Sequence, residues 1–434
     1  MIYRLRFADP DYTNRVAVCQ ETLLIPLPAA DRPLCIYSYC GIICPVDTAN
    51  GFHVGLSAHL LSLEENYRSA GASWYIYNLL CHLPAADPDL RYTAFLCEPL
   101  FSPRPGMRVR RPRWSTATPW KRIAWEQVAA PVASRREGVD VFHAMAFVAP
   151  VMVQSPTVIT IFDLSFLLFP TAFKAINRLY LRAMTQFSAR RARRVIAISE
   201  HTRQDVIVRL GVPAERVQTV YCGVDPSFHP LPPARVEAFR QRKGLPERFI
   251  LFLGTLEPRK NVSRLIDAFA FLVASSPGDL TNLHLVVAGG KGWFFESIFA
   301  QVQELGLTKR IHLVGYVPEG EKRLWYNAAT CFCYPSRYEG FGLPPLEAMA
   351  CGIPVIVSNT SSLPEVVGNA GVTLSPEDTP VLSEALHRVL TDATLRAELS
   401  ERGLERARRF SWDRAARQTT TIYRQIWDQV RQGK

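Results

Sequence analysis

The sequence predicts an α/β protein built on doubly wound parallel sheets. Apolar runs of strand length recur at 249–253, 283–288, 311–314 and 330–334, apolar enough to be buried on both faces. Gly254, Gly289 and Gly315 stand at strand exits, and helix-periodic segments separate the strands. The 434 residues leave room for two or three domains, and Pro226, Pro230, Pro232 and Pro233 mark a connector between two such blocks. In sheets of this kind, ligands bind beyond the carboxyl ends of the strands.

Composition narrows the class. With 48% hydrophobic and 21% charged residues the chain matches a globular protein. No uninterrupted apolar run reaches the ~18 residues that span a bilayer. The nearest, 144–162, is divided by Pro150 and by Gln154-Ser155-Pro156. The first residues, with Arg4, Arg6 and Asp9, lack a secretory apolar core, so the expected location is cytoplasmic. Cys331 and Cys333 share a strand face without a second Cys or His pair, which points to buried thiols and no metal. A net charge of +11 calls for an anionic substrate or an anionic membrane surface; no stretch matches a nucleic-acid module.

Residues 1–51 are punctuated by prolines and form an extension with no readable role. The first domain is expected over 52–230. It opens with a buried strand at 53–61, then Gly71 and a helix through 75–83. Residues 101–136 carry nine Lys or Arg against Glu126, with Trp114, Trp120 and Trp125 interleaved. Basic groups with Trp suit a membrane surface, where the charges meet anionic headgroups and Trp sits at the interface. A solvated basic loop accounts for the same residues. The run Arg190-Arg191-Ala192-Arg193-Arg194 fits either a membrane patch or compensation of a helix dipole. A strand at 139–142 ends in His143, which either enters the cleft or is structural; a further strand at 157–163 ends in Asp163. Ser199 is placed to cap a helix over 200–210. The connector is expected over 231–247, the second domain over 248–410, and a terminal helix over 411–434 with one apolar stripe.

The densest chemistry lies at 335–347. A strand runs into a loop holding Glu339, Gly340 and Gly342, and a helix is expected to begin at Pro344 or Pro345. Free N–H groups of that first turn, the helix dipole and close-approaching glycine backbone suit a phosphate. Glu339 and Glu347 would oppose a bare phosphate but accept hydrogen bonds from sugar hydroxyls, so the loop reads as a nucleotide-sugar pocket. Arg259 and Lys260 follow another strand and precede a helix. A basic N-terminal turn is electrostatically unfavourable for the helix itself, which favours a ligand role.

The stretch from Tyr334 through "EGFGLPPLEAMACGIPVIVSN" to Asn359 resembles glycosyltransferase family 4, the retaining nucleotide-sugar transferases. The resemblance runs over about 52–430. It implies the glycosyltransferase B fold: two Rossmann-like domains facing across a cleft, with the terminal helix crossing back onto the first. It implies transfer of a hexose to a glycan or lipid-linked acceptor hydroxyl, with the nucleotide sugar as co-substrate and neither a cofactor nor a metal. Arg259 and Lys260 would hold the diphosphate, aided by the amides of Gly340, Phe341, Gly342 and Leu343. Glu339 would orient the sugar and Glu347 the ribose, while Gly254, Gly290, Tyr316 and Val317 complete the donor site. Gly71 is what remains of a Gly-x-Gly turn near the donor phosphate, and Gly71, His143 and Asp163 are the cleft candidates of the first domain. The segment "ITIFDLSFLLFP" resembles mannosyltransferase-like members, from which mannose is the expected sugar; many of them carry histidine where this chain has Phe162. On the same architecture a phosphorylase, an epimerase or a donor-binding relative without turnover would share these motifs. Peripheral attachment at the inner membrane face would fit the basic stretch.

Overall fold

A computed structural model describes residues 51–64, 71–112, 118–169, 175–276, 278, 280–290 and 295–432. Residues 1–50, Arg113 and Trp114 lie outside the described residues. The first domain runs β1 (His53–Ser57), α1 (Gly71–Ala86), β2 (Arg91–Phe95), β3 (Met107–Arg110), α2 (Pro119–Ala124), a π-helical turn (Trp125–Ala129), α3 (Ala130–Arg136), β4 (Val141–Ala144), β5 (Thr157–Ile161), α4 (Ser165–Leu168), α5 (Ala175–Arg191), β6 (Arg194–Ala197), α6 (Glu200–Leu210) and β7 (Val217–Thr219). After α7 (Pro233–Lys243), the second runs β8 (Arg248–Leu253), α8 (Val262–Ser275), β9 (Leu283–Ala288), α9 (Phe295–Glu304), β10 (Ile311–Gly315), α10 (Glu319–Ala328), β11 (Cys331–Tyr334), α11 (Leu343–Ala350), β12 (Val355–Ser358), α12 (Leu363–Val367) and β13 (Val372–Leu374). Helices α13 (Thr379–Thr391), α14 (Ala393–Ala407) and α15 (Trp412–Arg431) close the chain.

Both sheets are parallel. Their orders are β3-β2-β1-β4-β5-β6-β7 and β10-β9-β8-β11-β12-β13. The strand order reverses between β1 and β4 in one sheet and between β8 and β11 in the other, and a crevice opens at such switch points. Strand residues such as Val54, Leu56, Ile159, Ile250 and Phe332 are fully buried, as strands covered by helices on both faces require.

The proline-rich connector contains a helix. Within 231–247 the chain forms α7. Pro233 opens the helix, where its missing N–H is no loss, and Gly244 ends it in the left-handed region at φ +61°. Phe239 packs on Trp325, and Arg240 donates to the Ala328 carbonyl at the end of α10, so α7 is fastened to the second domain.

Helix α15 lies on the first domain. Arg424 grips Asp87 through two bonds of 2.8 and 2.7 Å, and Trp427 sits 4.4 Å from the Phe52 ring. The helix also explains His143. That side chain is fully buried on β4, with Nδ1 2.6 Å from the Tyr423 hydroxyl and Nε2 2.8 Å from Thr160 Oγ1. Burial holds its imidazole down at about 3, so it is neutral and structural. It pins α15 to the sheet and does not line the cleft, which corrects the reading of His143 as a cleft residue.

A second buried pair lies at the π-helical turn. Glu126 Oε2 is 3.6 Å from His59 Nε2, and His59 Nδ1 is 3.1 Å from Ser57 Oγ. Burial pushes the Glu126 carboxyl from its usual 4.5 up to about 8 and the His59 imidazole down to about 3. The folded chain therefore keeps a proton on Glu126 that the unfolded chain releases. This contribution to stability is whole below about pH 4.5 and is lost as pH rises through about 8. Glu126→Gln should match the parent in stability near pH 4.5 and exceed it by a few kcal/mol above pH 8. Thermal unfolding of both proteins across that range checks this; parallel curves would mean that the carboxyl is ionised and solvated.

Candidate active site

A cleft of about 540 Å³ opens between the carboxyl ends of the two sheets. Each strand exit near the switch points contributes to it. Gly71 comes from the start of α1, Phe147 from the loop after β4, and Phe162 and Asp163 from the end of β5. The second domain supplies Gly254, Arg259 and Lys260 after β8, Gly290 after β9, Tyr316 and Val317 after β10, and the loop from Glu339 to Glu347.

Its polar centre is a carboxylate gripped by two cations. Lys260 Nζ donates to Glu339 Oε1 at 2.6 Å, and Arg259 Nη1 lies 3.2 Å from Glu339 Oε2. Ser336 Oγ donates to Oε1 at 2.5 Å, and Lys260 also reaches the Tyr334 hydroxyl. Burial alone would raise the Glu339 carboxyl, but Lys260 and Arg259 bring it down to about 2. Burial lowers Lys260, and the neighbouring Arg259 lowers it further, against the pull of Glu339. The sequence reading gave Glu339 to the sugar; the structure adds that it neutralises two buried cations. Charges taken this far out of water need such partners.

The loop geometry follows from two glycines. Gly342 has φ +109° and leads into α11, which begins at Leu343, one residue before the expected Pro344. A side chain there would be strained and would meet Leu363 at 2.8 Å. Gly340 lies against the other domain, since a Cβ would fall 2.1 Å from the Phe162 carbonyl oxygen. Pro344 and Pro345 carry no N–H, so the amides that face the cleft beside Arg259 and Lys260 are those of the loop from Gly340 to Leu343, with the dipole of α11 behind them. Gly71 differs: none of the described residues lies within 4 Å of where its Cβ would be, and it lines the cleft.

Glu347 is also buried. Its Oε2 accepts the Tyr326 hydroxyl at 2.8 Å, and Oε1 is 4.0 Å from Lys322 Nζ. Burial raises its carboxyl. Lys322 bonds Glu319 Oε2 at 2.6 Å, while Glu319 Oε1 is buried with no hydrogen-bond partner among the described residues. Glu319 and Lys322 line the cleft next to Tyr316 and Val317, and sequence reasoning missed both. The available signal was weak, because an acid just after Pro318 with Lys322 one turn on looks like ordinary helix-start electrostatics. An acceptor oxygen left without a donor is the distinguishing observation.

Sequence reasoning also missed an aromatic wall on the first-domain side. Phe162 is 7% exposed, with Tyr75 and Phe147 set edge-on at 5.1 and 5.4 Å. Phe147 holds a left-handed φ of +44°, fixed by a bond from its N–H to the Thr160 carbonyl at 2.9 Å. Such strain at a cleft residue is kept where the surroundings fix the side chain in place. Asp163 lines the cleft while its Oδ1 accepts the Ser165 N–H at 2.9 Å, starting α4.

The two domains meet beside this site. Glu365 of α12 accepts the N–H groups of Glu200 and His201 at 2.8 and 3.0 Å, and the Tyr221 hydroxyl at 3.2 Å. Tyr338 donates to Asp205 at 2.8 Å and accepts the Leu164 N–H at 3.1 Å. Thr202 Oγ1 lies 3.1 and 3.2 Å from the carbonyls of Phe162 and Gly340. Ser199, the expected cap of α6, accepts the Thr202 N–H at 3.0 Å.

Comparison with known proteins places this geometry. The family model for glycosyl transferases group 1 matches residues 235–406, and that for Glycosyltransferase Family 4 matches 69–228. The chain is 33% identical over 285 residues to the O-antigen chain mannosyltransferase B of Escherichia coli, spanning 65% of this chain and 74% of that one. It is 32% identical over 242 residues to the serotype-specific mannosyltransferase WbdA of Escherichia coli, spanning 55% of this chain but 29% of WbdA. Its fold is similar to that of a sucrose-phosphate synthase from Thermosynechococcus elongatus, with TM-score 0.70, 23% identity and coverage of 87% and 99% of the two chains. It is also similar to WaaG, a glycosyltransferase involved in lipopolysaccharide biosynthesis, with TM-score 0.67, 17% identity and coverage of 85% and 99%. The chain therefore belongs to the group 1 glycosyltransferases, and it is a glycosyltransferase with the two-domain glycosyltransferase B fold.

Proposed function

We propose that this protein transfers mannose from GDP-mannose to a hydroxyl of a glycan or lipid-linked acceptor, with retention at the anomeric carbon. The observation that carries the reading is the buried Arg259–Lys260–Glu339 cluster beside the loop amides of Gly340, Phe341, Gly342 and Leu343 that lead into α11. The bond from the anomeric carbon to the diphosphate breaks as the acceptor oxygen bonds the same face, and the acceptor proton passes to the departing phosphate. Charge grows on the diphosphate in this step, and preorganised cations and dipoles act where charge develops. Two cations and a helix N-terminus already serve that charge, so the reaction needs neither a metal nor a cofactor.

The base is argued from Glu319. Its unpartnered buried oxygen calls for an N–H donor, with Lys322 alongside as a donor to a carbonyl. Guanine offers ring and exocyclic N–H groups next to a carbonyl oxygen, which suits this pair. The mannosyltransferase names of the E. coli relatives support the sugar. Released nucleotide should be measured with GDP-mannose, GDP-fucose, UDP-glucose, UDP-galactose and ADP-glucose in turn. Turnover confined to GDP-mannose is expected, and preference for a uridine donor would overturn the base assignment. The anionic membrane surface suggested by the basic residues is where a lipid-linked acceptor would be met.

Phe162 tests how the reaction runs. An imidazole there could donate a hydrogen bond to the sugar, whereas a phenyl ring cannot. Packed between Tyr75 and Phe147, an imidazole would be desolvated and held neutral. Phe162→His is therefore expected to raise turnover by no more than about twofold. A silent parent beside an active variant would show that this chain has lost catalysis with that histidine.

A further inference from the structure

The run Arg108, Arg110, Arg111 is mostly occupied within the fold. Arg110 pairs with Glu137 at 2.6 Å, and Arg111 donates to the Phe101 carbonyl at 3.0 Å. The exposed apolar groups lie on a neighbouring face instead. On α5, Ile176, Leu179 and Phe187 are 67%, 67% and 44% exposed, and they share one helical stripe. Beside them, Met152 and Trp120 are each 74% exposed, and Val128 and Val132 are also exposed. The three elements are joined. Val151 N–H donates to Gln127 at 3.1 Å, Arg191 donates to the Val151 carbonyl, and Tyr180 of α5 faces Glu126 and Gln127.

The charge on this face has one sign. Helix α5 holds Arg178, Arg182, Arg190 and Arg191 and no acid, and residues 119–136 hold Lys121, Arg122, Arg135, Arg136 and the single acid Glu126. Glu126 is buried against His59, behind the surface. A water-exposed apolar stripe of this size is costly for a monomer, and a rim of cations would repel a second copy of the same face. An anionic bilayer satisfies both features: headgroups take the cations and the interface takes Trp120, Met152, Leu179 and Phe187.

We infer that α5, the 150–153 loop and the 119–136 helical segment form the surface by which this glycosyltransferase sits on an anionic membrane. This inference deepens the lipid-linked acceptor reading and rests on it for its purpose. Helix α5 runs back from the carboxyl edge of the sheet, so Ile176 and Leu179 lie toward the cleft end of this face, while Phe187 and Met152 lie toward the amino edge, where Arg191 bonds the Val151 carbonyl.

The test is co-sedimentation of the full chain with phosphatidylcholine vesicles, with and without phosphatidylglycerol. Binding is expected only to the anionic vesicles and should decline with salt, since exposed charges are screened over about 8 Å at physiological ionic strength. Reversal of Lys121, Arg135, Arg136 and Arg182 to Glu should reduce partitioning about 100-fold or more. Leu179→Ser with Phe187→Ser should reduce it by about tenfold or more, since little beyond the removed apolar area changes. Both variant sets should keep the thermal stabilisation given by GDP, which separates lost docking from lost folding or lost donor binding. Equal binding of the parent to neutral vesicles, or retained binding by both variant sets, would overturn the surface. So would a parent dimer that Leu179→Ser dissolves, since it would assign the stripe to a second copy. Vesicle binding by a protein that turns over no donor would sink the transferase reading and leave this one standing.

Discussion

Lys260→Ala should lower kcat by about 100- to 1000-fold, the range for removing one preorganised group that stabilises developing charge. Lys260 is 7% exposed and holds the Glu339 carboxylate at 2.6 Å, so its loss has two separable consequences. In the proposed reaction the catalytic one is a diphosphate facing Arg259 alone. The structural one is a buried Glu339 left with one cationic partner at 3.2 Å. Because Arg259 remains, the loss of stability should fall short of the ~3–5 kcal/mol of a fully orphaned buried charge. The double variant Lys260→Ala with Glu339→Gln distinguishes them. Removing the carboxylate charge as well should return part of the stability, since residues in one network do not act additively. It should return none of the turnover. Recovery of turnover by the double variant would mean that Lys260 serves the fold and that the diphosphate is held elsewhere.

How much of this was legible in the sequence depends on the kind of constraint. The loop from Glu339 to Leu343 and the Arg259-Lys260 pair stand out locally, because glycine spacing, a proline helix start and an unfavourable basic turn are each one-dimensional signals. His143 was left open between two roles because a strand-end histidine looks the same whether it faces a cleft or a neighbouring helix. Only the packing of Tyr423, far along the chain, decides between them. The connector's prolines marked the joint without showing its helix, although Pro233 occupies a first helical position and Gly244 the matching end. Glu319 was invisible for another reason: an unpaired oxygen is defined by what fails to approach it in three dimensions. The docking face mixes both. Its cations could be counted in the sequence, but Ile176, Leu179 and Phe187 look like core residues until the helix is placed.

Closure of the cleft gives the second large effect, and it should centre on Glu365. This carboxylate reaches across the seam to two free N–H groups at the start of α6, at 2.8 and 3.0 Å, and to Tyr221. Charge-assisted bonds to a helix N-terminus are stronger than neutral ones, and the dipole adds to them. When the domains part, water replaces each of these partners, so the net gain from closure is modest for each bond. With two such bonds worth ~1.5–3 kcal/mol each net of that exchange, Glu365→Ala should lower kcat/KM by roughly 100-fold or more. Nucleotide affinity should change little. Glu365 lies outside the cleft lining, and Arg259, Lys260 and Glu347, the proposed donor contacts, all belong to the second domain. Glu365→Gln should fall between parent and Ala, because an amide keeps one acceptor but loses the charge. Small-angle scattering should show the Ala variant more extended with GDP bound, in step with its kinetic loss. An equal loss of GDP affinity, or an unchanged scattering profile beside a slow enzyme, would remove Glu365 from closure and leave it a packing contact.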